Sequence, residues 1–319
     1  MATTTGATRR PPVTRDERPW WRGRRRPGER SIEILLIIAA AVSIATTIGI
    51  IIALAEPTVE FFGEVSIIDF LTGTAWTPLF TSPQYGVLPL VVATLIVTVL
   101  ALIIAVPLGL GSAIYLSEYA HPRTRKLLKP ILEILAGVPT VVYGAFALFA
   151  IGPLLRDIWP TDNTPAFQNM LIASIAMGIM IVPTVASLAE DAMSAVPQSL
   201  REGAYALASS KMQVSTRVVV PAAISGIVAA IVLGISRAIG ETMIVTLAAG
   251  SISDHIEWNP IESASTMTAY IASASAGDLP IGSVHYLTIF AVGSLLFCFT
   301  FLLNLFSIRM VRRFREVYE

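Results

Sequence analysis

Six stretches of this 319-residue chain are apolar over lengths that match the hydrocarbon core of a bilayer. They cover about 31–55, 87–116, 127–151, 169–188, 221–249 and 285–308, the second interrupted by Pro107 and Gly109. A helix crossing the core needs about 20 apolar residues at ~1.5 Å rise each. Every backbone group inside lipid must find a partner within its own segment, which favours helices. The alternating ten-residue segments of a membrane barrel are absent. Only 14% of residues are charged, against roughly 25% in soluble domains. The fold expected is all-α: a polytopic membrane protein with about six transmembrane helices.

The few charges are sorted by side. Nine Arg precede residue 31, four basic residues lie at 123–129, three at 201–217 and four at 309–315. All 20 fall on one face of a six-helix topology. Arg156 falls on the other, and Arg237 falls inside the fifth stretch. Lys and Arg mark the cytoplasmic side, so both termini are expected in the cytoplasm. The opposite loops carry acids, among them Glu60, Asp69, Asp157, Asp254 and Glu257. The first stretch is too long for the apolar core of a cleaved signal and reads as a retained helix. The domain reading is an Arg-rich tail over 1–30, expected to be disordered and in contact with membrane lipid. A six-helix permease-like body follows over 31–308, with a cytoplasmic segment at 190–220 inside it and a cytoplasmic tail over 309–319. No nucleic-acid partner is expected for an arm tethered at a membrane.

Two loops have character of their own. Residues 56–85 hold Phe61, Phe62, Phe70, Trp76, Phe80 and Tyr85. Aromatics near a span end commonly anchor at the lipid interface, and that role is expected here ahead of docking an external partner. Residues 263–275 are rich in Ser and Ala and are compatible with a short re-entrant or interfacial helix.

Catalytic signatures are missing. One cysteine, Cys298, cannot form an internal disulfide, and His121, His255 and His285 are far apart. No catalytic residue, metal site or cofactor is expected. A Walker A loop needs Gly-Lys-Ser/Thr, and none of the three lysines stands in that context. If transport uses ATP, another polypeptide must bind it. Neither His-Glu-x-x-His nor Gly-x-Ser-x-Gly occurs.

The segment 195–221 is patterned. Pro197-Gln198-Ser199 marks a helix start. The small residues Gly203, Ala204, Ala206 and Ala208 would let another surface approach. Pro221 would open the fifth spanning helix, where its missing N–H costs little. This describes a short helix outside the bilayer joined to a span; an ordinary hairpin loop fits the same pattern.

Here the sequence resembles the permease subunits of bacterial ABC importers. Their pattern is Glu-Ala-Ala, three residues, Gly, nine residues, then an apolar triplet and Pro. Glu202-Gly203-Ala204, Ala208 and Val218-Val219-Val220-Pro221 follow it in register, with Gly203 for Ala and Ala208 for Gly. The resemblance implies a MetI-like core and a coupling helix that docks on an ATPase through Glu202, Gly203, Ala204 and Ala208, with Pro221 closing the motif. Residues 234–243, Gly-Ile-Ser-Arg-Ala-Ile-Gly-Glu-Thr-Met, look like the Arg-Ala-x-Gly-Glu-Thr signature of phosphate permeases. Residues 135–144 resemble the third helix of those permeases and Thr266-Met267-Thr268 adds a further match, while Phe70-Leu71 and Trp76-Thr77-Pro78 favour the PstC-type subunit over its PstA-type partner. The implied partners are a second, PstA-type permease subunit, ATPase subunits and an extracytoplasmic phosphate-binding protein. The implied place is the bacterial plasma membrane.

Arg237 and Glu241 are the charges in the middle of a predicted span. Four residues apart, they would share one helix face. A charge at that depth costs ~3 kcal/mol on insertion scales, so it faces water, a partner or its own counter-ion. A guanidinium fork suits a tetrahedral oxyanion. Glu241 would keep that attraction weak enough for release, with Thr242 and Ser236 offering hydroxyls. A self-neutralised structural pair is the competing account. The same scaffold carrying another oxyanion or nutrient, an ATP-independent channel or secondary transporter, and a membrane enzyme stand beside the phosphate reading.

Overall fold

The structure, a computed structural model, describes residues 27–159 and 164–313. The Arg-rich tail up to residue 26 and the last six residues lie outside the described residues. The chain divides into two units, one up to Ile52 and one from Ala53.

Helix α1 spans Pro27–Glu64, nine residues beyond the expected end of the first stretch. Apolar side chains cover its first unit on all sides, and Leu35, Ile44 and Ile52 are all exposed. A helix hydrophobic all round suits lipid contact. Short α2 (Ile67–Thr72) leads to α3 (Leu88–Ile114), which ends in a π-helical turn, Tyr115–Tyr119. Next come α4 (Pro122–Ala136), then α5 (Thr140–Phe146), which runs through a second π-helical turn into α6 (Gly152–Ile158). Helix α7 is Met170–Ser194 and α8 is Gln198–Ala206. From α9 (Lys211–Val214) a third π-helical turn leads to α10 (Val220–Ala222) and α11 (Ile224–Ile239). Helices α12 (Met243–Ala248), α13 (Met267–Ala276) and α14 (Val284–Arg313) complete the order. Among the described residues five helices are long and apolar enough to cross a membrane, and the bent pair Lys211–Ala222 with Ile224–Ile239 brings the number to six if it is one span. No named strand occurs among the described residues; one isolated bridge joins Trp76 to Tyr85.

Helix α7 is the centre of the second unit, packed against both α3 and α11, which also touch each other. Small residues set both distances. A Cβ on Gly178 would lie 3.0 Å from the Ala101 carbonyl of α3, and one on Gly234 would lie 3.2 Å from Ile181 and Val185 of α7. Spanning helices rely on such close approach because lipid supplies no hydrophobic drive between them.

Three expectations are corrected. The third stretch is not one span from residue 127. Helix α4 stops at Ala136, and the span is Thr140–Ile158. Gly137 and the restriction that Pro139 places on Val138 break the helix. The fifth stretch does not open at Pro221, which sits inside the first arm of the bent pair. A capping box at Ser210 and Gln213 starts the helix upstream, the π-helical turn Ser215–Val219 absorbs the register change, and the chain bends by 71° at Ala223. Nor are all the aromatics of 56–85 lipid anchors. Phe61, Phe70 and Trp76 are buried at 0–1% exposure. Trp76 stacks edge-on with Tyr270 at 5.0 Å and Phe61 with Phe70 at 5.7 Å. They form a second core with Leu287 and Val292 of α14. Phe80, in contrast, is 64% exposed. Residues 263–275 do yield a helix, α13, capped by the Thr266 hydroxyl, which accepts from the Ala269 amide.

Candidate functional site

The fifth span breaks a second time where its charges lie. Helix α11 ends at Ile239, Gly240 forms its C-terminal turn, and α12 restarts at Met243. Arg237 and Glu241 therefore share no helix face, and among the described residues no ion pair joins them. Glu241 turns to the restarting helix. Its Oε1 accepts from the amides of Met243 at 3.0 Å and Ile244 at 3.3 Å. The exposed N–H groups at a helix start attract negative charge, so this buried carboxylate has its compensation in the backbone. Arg237 turns to α7. Its Nε lies 3.1 Å from the Met180 sulfur, and Nη1 donates to the Thr184 hydroxyl at 3.4 Å. Both partners are neutral, and the guanidinium is half-buried.

Hydroxyls gather around the break. Thr268 Oγ1 donates to the Glu241 carbonyl at 2.7 Å and lies 3.2 Å from Thr266 Oγ1. The Thr94 hydroxyl of α3 accepts from the Met267 amide at 3.0 Å. Thr98, one turn further along α3, has a buried hydroxyl with no hydrogen-bond partner. The start of α13, the break and α3 thus converge at one place. Irregular backbone at membrane depth occurs where protein or a watery cavity satisfies it, and discontinuous helices are a recurring way to build solute sites.

Of the four pathway candidates, Arg237 lies at the end of α11 just before the break and Glu241 lies within it. Thr242 is half-buried in it, with Oγ1 directed at the Gly240 carbonyl at 3.4 Å. Ser236 donates to Asn304 Oδ1 of α14 at 3.2 Å, a different set of partners from those of Arg237. Sequence reasoning missed Met180, Thr184, Thr94 and Thr98. Nothing in a local pattern marks them; they become visible only when α3 and α7 are placed beside the break.

On the basic side, α8 stands as a separate short helix after Pro197. Glu202 and Gly203 are exposed, and a Cβ on Gly203 would meet open space. Ala204 packs inward on the third core. Ala208 has φ +58°, the left-handed conformation that glycine adopts more easily. The sharp turn is kept without the glycine. Leu207 and Met212 beside it are 83% and 68% exposed. Pro221 lies on another helix, away from this surface.

Four contacts hold α8 and α9 to the spans. Arg201 donates to the Val196 and Met193 carbonyls at 2.6 and 2.8 Å, closing the end of α7, and to Glu118 of the first π-helical turn at 3.0 Å. The Lys211 ammonium sits 5.0 Å above the Tyr119 ring. Nearby, Arg125 and Lys129 of α4 both reach the buried Glu190 of α7, Lys129 at 2.7 Å, and Lys129 also reaches Asp191 at 2.5 Å. The hydrogen bonds to Asp191, then to Glu190, hold the Lys129 ammonium above its ordinary pKa. Glu118 and Glu190 are acids on a basic face, and that mismatch is the one sequence signal that would have found them.

A span broken beside a group of hydroxyls thus stands together with a short helix fastened to the end of α7 and to the turn after α3. The sequence pattern of binding-protein-dependent transport system inner membrane components matches residues 105–316. The chain belongs to that family. This permease is 35% identical over 271 residues to the probable ABC transporter permease protein YqgH of Bacillus subtilis, covering 84% of this chain and 86% of the relative. It is 32% identical over 300 residues to the phosphate transport system permease protein PstC of Haemophilus influenzae, covering 89% and 90%. Its fold is similar to that of a chain of the bacterial alginate ABC transporter, TM-score 0.60 at 17% identity, covering 91% and 98%. A chain of the MetNI methionine transporter gives TM-score 0.54 at 17% identity, covering 72% and 95%. The MetI-like permease core is therefore present. It belongs to an ABC importer, as an inner-membrane component with several apolar helices.

Proposed function

We propose that this permease is the PstC-type subunit of an ATP-driven phosphate importer and forms half of its translocation path. The observation that carries the reading is the state of Arg237: a half-buried guanidinium in a spanning helix, with a thioether and a hydroxyl for partners and its nearest carboxylate in sequence committed to amides. A charge so placed costs several kcal/mol unless water or an anion meets it. The similarity to phosphate permeases supplies the anion. Phosphate delivered by an external binding protein passes the break, drawn by Arg237, while Glu241 opposes tight capture and Thr242 and Ser236 add hydroxyls. Both termini lie in the cytoplasm. The ATPase docks on α8 and its turn through Glu202, Gly203, Ala204 and Ala208, and Pro221 lies in the arm that carries the motion to α11. The domain reading follows: a coupling segment at 190–220 within a permease body, with the basic ends outside it. A PstA-type subunit completes the pore.

The test is phosphate uptake by the complex reconstituted with its ATPase and binding protein. Arg237→Ala should lower uptake roughly 10- to 100-fold, the equivalent of the ~1.5–3 kcal/mol of a hydrogen bond to a charged group, with assembly and basal ATPase activity kept. Unchanged uptake would remove Arg237 from the path. Equal competition by sulfate or molybdate would reassign the substrate.

A further inference from the structure

Helix α4 lies outside the apolar spans yet exposes apolar side chains. No residue of it is buried, and Leu127, Ile131, Ile134 and Leu135 are exposed. Between α4 and the chain that runs from the second half of α3 into its π-helical turn open two adjoining cavities that share Leu116. One, about 480 Å³, is apolar and is walled by Leu108 and Gly111 of α3 and by Leu128, Ile131 and Leu132 of α4. The other, about 640 Å³, is bordered by Arg125, Lys126, Lys129 and Glu133. An apolar slot thus ends at a charged mouth, on the side where the basic residues of the chain collect.

The charges at that mouth are not equivalent. Arg125 and Lys129 are engaged by Glu190, and Lys129 by Asp191, but each keeps N–H groups to spare. Lys126 is exposed and makes no ion pair among the described residues. Arg123, equally unpaired, stands just before it on α4. Glu133 is seven residues ahead, about 10 Å along the helix axis, so the anion-attracting end is the Lys126 end. Basic pockets between spanning helices on the cytoplasmic side are suited to acidic lipid headgroups. We propose that this crevice binds an anionic phospholipid, one acyl chain lying against Leu108, Ile131 and Leu132 and the phosphodiester resting at Lys126. A lipid seated there wedges α4 against α3, next to the Glu190 contacts that fasten α4 to α7. The proposal does not depend on which solute the transporter carries.

The assembled transporter, released from nanodiscs of equal phosphatidylglycerol and phosphatidylcholine, reports retained lipid by native mass spectrometry. Wild type should keep phosphatidylglycerol in preference. Lys126→Gln should lower that retention about fivefold, the effect of one basic residue near an acidic surface, and leave phosphatidylcholine unchanged. Gly111→Phe fills the slot, because a Cβ there meets open space, and should lower retention of both lipids; Leu108→Phe serves should that variant fail to assemble. Equal retention of the two lipids by wild type, or retention indifferent to both kinds of substitution, overturns the proposal. So does cross-linking from residue 131 to another polypeptide in place of lipid.

Discussion

The Arg201 guanidinium and the Glu118 carboxylate meet at 3.0 Å and tie α8 to the π-helical turn that ends α3. Both side chains are largely buried, at 12% and 5% exposure. The same guanidinium closes the last carbonyls of α7. A displacement of α8 therefore reaches two spans at once.

Removing one partner of such a pair strands the other charge. Arg201→Ala should lower the stability of the assembled transporter by ~3 kcal/mol, read as a fall in its melting temperature. Arg201→Lys should recover only part, because an ammonium cannot hold the planar fork across three acceptors. If α8 transmits motion through this contact, ATP hydrolysis persists in Arg201→Lys while transport per ATP falls. Full coupling in that variant would show that the contact only stabilises.

Ala208 offers a test of opposite sign. Its left-handed φ of +58° costs an alanine ~1 kcal/mol that glycine avoids. Ala208→Gly should relieve that cost, offset in part by greater freedom of the unfolded chain. Slower proteolysis of the 207–210 turn, with uptake unchanged, is the expected result. Faster cleavage would mean that chain entropy outweighs strain here.

The fold was legible where hydropathy carries it. Apolar length marked every span, and Pro197 marked the start of α8. The breaks were less visible for a physical reason. Gly240, Glu241 and Thr242 scarcely dilute an apolar run, so residues 221–249 read as one helix. Counting Arg237 and Glu241 as i and i+4 inherited that error. Ala223 carries no breaker of its own; the bend follows from the π-helical turn and Pro221 upstream. The buried aromatics of 56–85 read as lipid anchors in sequence because Tyr270, the partner of Trp76, is remote from them. Likewise Arg201 and Glu118 stand 83 residues apart, and no periodicity connects them.

A pH response is expected in the loop after α12. His255 bonds Asp254 at 2.7 Å and Glu257 at 3.2 Å, and these two contacts, Asp254 first, raise its pKa above the ordinary histidine value. A raised folded-state pKa stabilises the loop below about pH 6.5, and that contribution is lost as pH climbs through the raised value. Amide protection factors across residues 253–257, each rate divided by its intrinsic rate at the same pH, should be higher at pH 6 than at pH 8. In His255→Gln the protection factors at the two pH values should coincide; if the difference persists, another group governs the loop.

Glu241 separates a structural from a transport role through two substitutions. Its Oε1 serves two amides of α12, and glutamine keeps an acceptor oxygen of the same reach while discarding the charge. Glu241→Ala leaves buried donors unmet and should cost about 1–3 kcal/mol of stability. Glu241→Gln should melt near wild type, since the amides stay satisfied. With the opposing charge gone, Arg237 would hold an anion longer, so phosphate should bind the transporter more tightly and turn over more slowly. Binding to the complex and uptake at saturating phosphate measure the two effects separately. A glutamine variant unchanged in both would make Glu241 a cap for α12 and nothing more.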